Sequence, residues 1–253
     1  MKKIKLFCFP HAGGSSIMFQ PWESYLSADI ELCPVELAGR GRRISEPLYQ
    51  SIMDAVGDVF RIIKPQIHGN AYAFFGHSMG ALIAFELVRR IKKASFPAPM
   101  HLFFSGKEAP HMRRREEKMF HRFPEEKFKE EVMKLGGTGF DIFSNPKLLD
   151  IILPVLKNDF VITETYDHTQ AIEPVDIDFT VFIGKDDDLE LTPEEVTGWQ
   201  EHTRGICTIH YFPGGHFFIR EQSAGVVELI NRQLSSNIKK VAPIKKSFYS
   251  SSI

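Results

Sequence analysis

Three cysteines in 253 residues, Cys8, Cys33 and Cys207, form no CxxC pair and no even set from which a disulfide framework could be built. They lie in or beside apolar runs and read as buried free thiols of a reducing compartment. An excess of one charge is missing as well: 31 Lys and Arg stand against 32 Asp and Glu, a formal net charge of −1. That balance gives no global electrostatic case for binding nucleic acid or an anionic membrane. The basic runs Arg113-Arg114-Arg115 and the tail from Lys239 are local and read as solvated surface. No stretch approaches the roughly 20 apolar residues of a membrane span. Leu6–Phe9, the apolar run after the first lysines, ends at Pro10, too short for a signal-peptide core. No internal repeat occurs, and the ten histidines show no HExxH or comparable ligand spacing, so no metal is expected. Together these absences predict a cytoplasmic protein large enough to fold around its own core.

What is present is an alternation. Ile4–Phe9, Ile30–Val35, Tyr72–Phe75, Met100–Ser105, Phe179–Ile183 and Thr208–Phe212 are short, near-continuous apolar runs, the pattern of strands buried on both faces of a parallel sheet. Between them, helical patterns are predicted over Met18–Leu26, Ser51–Lys64, Met79–Lys92, Pro193–Glu201 and Arg220–Leu234. The order implies an α/β doubly wound fold with a mostly parallel central sheet flanked by helices. One region, about 109–174, breaks the rhythm with helices and no strand. Its segment "NPKLLDIILPVLKND" carries Pro154 inside, which predicts a kink or short break. Such an insertion is either extra core or a lid over a site at the strand ends. The chain is read as one domain, residues 1–238, followed by a disordered tail, 239–253.

Within "FFGHSMGALIAFEL", Gly76-His77-Ser78-Met79-Gly80 sits where a strand pattern becomes a helix pattern. G-x-S-x-G in that setting is the nucleophile-elbow pattern. A serine at a sharp strand-to-helix turn needs neighbours nearly free of side chains, and its hydroxyl then projects at a helix N-terminus. The amide of the next residue, Met79, can there face a developing oxyanion.

Such a serine needs a base to take its proton and a carboxylate to orient the base, in chain order Ser, Asp/Glu, His. His216, in "TIHYFPGGHFF", follows the last strand pattern and a Gly-Gly turn, where the final catalytic loop belongs. His11, His77, His111, His121, His168 and His210 are read as structural. After Phe179–Ile183 the chain offers Asp186, Asp187 and Asp188; only one can reach the histidine, and the Gly-x-x-Asp pattern from Gly184 picks Asp187. A second oxyanion amide is expected from the loop after the first strand, "FCFPHAGGSS", and is assigned to Ala12.

In the same order, "FPHAGGSS", "ELAGRGRRISEP", "GHSMGA", "GKEAPH", "LGGT", the Gly-x-x-Asp turn with Trp199 beyond it, and "GGHFF" together resemble the type II thioesterases. These are stand-alone editing enzymes of nonribosomal peptide and polyketide synthesis. The resemblance spans roughly residues 4–235 and implies an α/β-hydrolase fold, a triad of Ser78, Asp187 and His216, and a lid formed by the insertion. It also implies hydrolysis of acyl or aminoacyl groups from the 4′-phosphopantetheine arm of carrier proteins, with no cofactor and carrier proteins as partners. A monomer suits that role. Two departures stand out: Ala38 replaces the usual proline before Gly39-Arg40-Gly41, and counting back from Trp199 favours Asp188 over Asp187. The same triad would also serve a general carboxylesterase or lipase acting on oxoesters.

Overall fold

The computed structural model describes residues 2–112, 119–136, 145–168, 172–187 and 191–241. Its centre is one six-stranded sheet of β1 (Ile4–Phe9), β2 (Ile30–Pro34), β3 (Tyr72–His77), β4 (Leu102–Ser105), β5 (Phe179–Gly184) and β6 (Cys207–Phe212). The spatial order is β2-β1-β3-β4-β5-β6, and every neighbouring pair is parallel. All six apolar runs predicted as strands are strands.

The alternation of side chains along each strand builds two cores. Phe7, Phe9, Phe74, Phe104, Val181 and Ile183 face one layer, which holds the helices α1 (Ile52–Ile67) and α2 (Met79–Lys93). Their chain neighbours Leu6, Cys8, Phe75, Phe103 and Phe182 face the other, packed against Phe19 and Trp22 and the C-terminal helices α6 (Phe218–Glu221) and α7 (Ser223–Val241). Ser51, read as the first helical residue, instead caps α1 by accepting the Asp54 amide. Cys8 is buried, Cys33 and Cys207 are half-buried, and all three are free thiols.

Some helices differ from expectation. The segment after β1 is a 3-10 helix, Ser16–Ser24, not an α-helix; Pro21 inside it cannot donate an amide. The α5 helix (Pro193–Thr197) gives way to a 3-10 turn at Gly198. The C-terminal pattern is two helices, and α7 runs through Val241, past the expected boundary at 238; residues 242–253 lie outside the described residues.

Between β4 and β5 the described residues contain helices and no strand: α3 (Glu125–Lys134) and α4 (Pro146–Glu164) are the long ones. Phe128, Val132, Leu153 and Leu156 form a small core of their own between them. Of the kink or short break expected at Pro154, the break is absent, since α4 is continuous across it. The missing amide is offset by burial on either side, at Leu153, Val155 and Leu156. Among the described residues no helix is long and apolar enough to cross a membrane.

Candidate active site

The loops that follow β1, β3, β5 and β6 converge at the carboxyl ends of the strands, where α/β sheets carry their sites. Ser78 follows β3 and precedes α2 with φ 54° and ψ −115°, a positive-φ backbone that a non-glycine residue holds only when its surroundings force it. The forcing is visible. The Ser78 amide donates to the Ser105 carbonyl at 2.7 Å, and the Ala81 amide donates to the Ser78 carbonyl at 2.9 Å. A Cβ on Gly76 would lie 2.1 Å from the Gly80 carbonyl oxygen, and one on Gly80 would lie 2.1 Å from that of Phe9. Both glycines are therefore required by close backbone approach.

His216 follows β6 and is buried; its Nδ1 lies 2.8 Å from Asp187 Oδ2, and both side chains are 3% exposed. A carboxylate only accepts, so Nδ1 carries the proton and Nε2 is left as the proton acceptor. Of the three candidate aspartates, Asp187 makes this contact. Asp186 instead accepts the Gly214 amide at 3.2 Å in an exposed position, and Asp188 lies outside the described residues. The structure therefore brings Asp187 to His216, whose ring lies 5.0 Å from that of His77, the residue before the half-buried Ser78. Met79 is the fully buried first residue of α2, and Ala12 lies on the loop of the adjacent strand, where Phe9 pairs with Gly76.

Two further histidines pack around this group. The His77 ring lies 5.0 Å from that of His216 and 6.1 Å from that of His11, and Phe217 touches all three. Burial pushes His11 down to about 3 and His77 well below the usual imidazole range, so both stay neutral. His11 Nδ1 donates to the Ala12 carbonyl at 2.8 Å, and His77 Nδ1 meets Ser105 Oγ at 3.0 Å. Neutral neighbours leave His216 free to accept a proton without like-charge repulsion from either ring.

Sequence reasoning missed one buried charge pair at this end of the sheet. Asp159 on α4 is fully buried; its Oδ2 accepts Arg40 Nη1 at 2.5 Å and its Oδ1 accepts Arg40 Nη2 at 2.9 Å. Asp159 Oδ2 also accepts the Gly13 amide at 2.7 Å. The available signal was an aspartate at helical spacing from Leu156 and Ile162, on the inward face of the helix. Beside this pair, α4 and the loops after β1 and β2 enclose a cavity of about 760 Å³, lined by Gly13, Ser16, Arg40, Ile44, Ile151 and Val155 among others. Ser78 and His216 are not among its lining residues.

A family model described as the thioesterase domain matches residues 4–234. The chain belongs to the thioesterase family. It is 35% identical over 232 residues to the gramicidin S biosynthesis protein GrsT of Aneurinibacillus migulanus, covering 92% of this chain and 89% of that one. It is 32% identical to the medium-chain S-acyl fatty acid synthase thioesterase of Rattus norvegicus, covering 85% and 81%. Among solved structures, ClbQ of the colibactin NRPS/PKS pathway superposes with TM-score 0.89 at 37% identity, over 94% of this chain and 100% of that one. YbtT, a type II thioesterase of the yersiniabactin pathway, superposes with TM-score 0.82 at 28% identity, over 93% and 94%. The parallel sheet flanked by helices is the α/β-hydrolase fold that the sequence implied.

Proposed function

We propose that this thioesterase edits a nonribosomal peptide or polyketide synthetase, hydrolysing acyl or aminoacyl groups from the 4′-phosphopantetheine arm of its carrier proteins. The observation that carries the reading is the buried Asp187–His216 pair, packed against His77 of the strained Ser78 elbow. In this reading Ser78 Oγ attacks the thioester carbonyl while His216 Nε2 takes its proton. The amides of Met79 and Ala12 hold the oxyanion, and Asp187 stabilises the imidazolium. The tetrahedral intermediate collapses with loss of the pantetheine thiol, to which His216 returns the proton. Water, deprotonated by His216, then attacks the acyl-serine and releases the acid. The arm belongs to the substrate, and the steps as written call for no cofactor of the enzyme's own.

The role is supported by the likeness to GrsT, a gramicidin S biosynthesis protein, and to YbtT, a type II thioesterase from the yersiniabactin NRPS/PKS biosynthetic pathway. A thioester is activated by its weak resonance and good leaving group, so a loosely fitting pocket suffices, as editing of varied loads requires. The test is hydrolysis of acetyl-phosphopantetheinyl carrier protein compared with acetyl-CoA and a small oxoester, with Ser78→Ala as control. Preference for the carrier-bound thioester and an inactive variant are expected. Faster turnover of the oxoester, with no gain from the carrier, would instead mark a general esterase.

A further inference from the structure

We infer that Asp159 is a positioning residue that makes the oxyanion loop an extension of the helical insertion, so that the site is complete only while α4 is docked. This rests on the assignment of Ala12 as an oxyanion donor. The geometry is specific. Leu156, Asp159 and Ile162 are spaced three apart on α4, which puts them on one face, and all are buried. Leu156 covers Gly13 so closely that a Cβ there would meet Leu156 Cδ1 at 2.5 Å. One turn on, Asp159 takes the Gly13 amide at 2.7 Å and the Arg40 guanidinium in a two-pronged contact. Arg40 Nη1 in turn donates to the Gly14 carbonyl at 3.2 Å, and its Nε donates to that of Ala38 at 3.2 Å.

The loop is thus held from both sides of Gly13, whose φ of 73° is the left-handed conformation that turns the chain here. Gly13 N belongs to the peptide unit that follows Ala12. The Gly14 amide donates to the His11 carbonyl at 2.9 Å, so the preceding unit, which carries the Ala12 amide expected to face the oxyanion, is tied into the same turn. Asn158, the residue before Asp159, also donates to the Tyr49 carbonyl at 3.0 Å, so α4 is anchored at two points on the loops after β1 and β2. When α4 lifts, Asp159 departs, the Gly13 amide and Arg40 lose their shared acceptor, and the oxyanion loop is released. Hydrolysis by an open site is thereby suppressed.

Removing one partner of a buried pair strands the other charge, whereas replacing both with apolar residues is tolerated far better. The primary variant is therefore Arg40→Met with Asp159→Leu in one chain. The second is Asp159→Glu, which keeps a carboxylate for Arg40 but displaces it from the Gly13 amide. Both are assayed with acetyl-CoA and with a serine-directed fluorophosphonate, whose reaction also needs the oxyanion donors. The expected result is a kcat lower by on the order of 10- to 100-fold, KM little changed, and phosphonate labelling slowed by the same factor. The shape of the pH–rate profile stays that of the parent because Ser78, Asp187 and His216 are untouched. Parental kcat and labelling in either folded variant would overturn the inference, as would a rise in KM alone. Failure of the underlying reading looks different: Ser78→Ala would keep its activity, or the phosphonate would not label Ser78 in the parent chain.

Discussion

The carboxylate of Asp187 is buried against His216, while that of its chain neighbour Asp186 meets the Gly214 amide at the surface. In the proposed mechanism Asp187→Asn removes the charge that stabilises the imidazolium and allows the wrong tautomer, so kcat is expected to fall by about 10³–10⁴. Asp186→Asn is expected to leave kcat near that of the parent, and steady-state kinetics on acetyl-CoA separate the two. An equal loss in both would remove Asp187 from the triad. Gly76→Ala is a second residue-scale case, because its Cβ would collide with backbone, not with a movable side chain. The expected outcome is loss of soluble folded protein or of Ser78 labelling. The elbow was legible in the sequence because its constraint is local: five consecutive residues carry it. The choice among three aspartates was less so, because a one-residue offset in a turn changes which carboxylate faces the histidine. The Arg40–Asp159 pair was not legible, since 119 residues separate its members and only the docking of α4 brings them together.

At the scale of elements, the strands were read well because near-continuous apolar runs have one stable home, a sheet covered on both faces. The helices were read less well wherever proline or tertiary packing decided the outcome, as in the 3-10 segment at Pro21 and the unbroken α4 at Pro154. The insertion's own core is separate from the two cores against the sheet. Phe128 is buried in it, and its ring lies 5.4 Å from that of Phe160 on α4. Phe128→Ala is therefore expected to weaken the insertion by about 3–5 kcal/mol while sparing the sheet. Limited proteolysis is expected to cut the variant within α3 or α4 first and leave the remaining core resistant. Uniform digestion of the whole chain would mean that insertion and sheet unfold as one unit. Glu164 gives the insertion a second tie, accepting the amides of Phe120 and His121 at 2.8 and 3.0 Å, which Phe128→Ala leaves in place.

The whole molecule buries an unusual set of imidazoles. His11 and His202 are pushed down to about 3 and His77 well below its usual range, in each case chiefly by burial. In the unfolded chain each would take up a proton near pH 6.5. The folded chain binds none at these sites until far lower pH, so the unfolded state holds more protons throughout that window. Stability is therefore full above about pH 6.5 and declines as pH falls toward about 3, by about 1.4 kcal/mol per pH unit for each such histidine. His202 also lies 2.7 Å from His111 Nδ1, a contact that needs one ring to accept and so fails once both are protonated. Urea unfolding midpoints are expected to change little between about pH 7.5 and 6.5 and then to drop toward about pH 5, with His11→Asn or His202→Asn reducing the slope. A loss of activity on acidification that reverses on neutralisation, without any change in the unfolding midpoint, would be a separate effect on catalysis. A flat midpoint across that range would mean that these rings gain protons inside the fold. The neutral histidine shell around His216 would then be charged, and the argument that it leaves His216 free to accept a proton would fail with it.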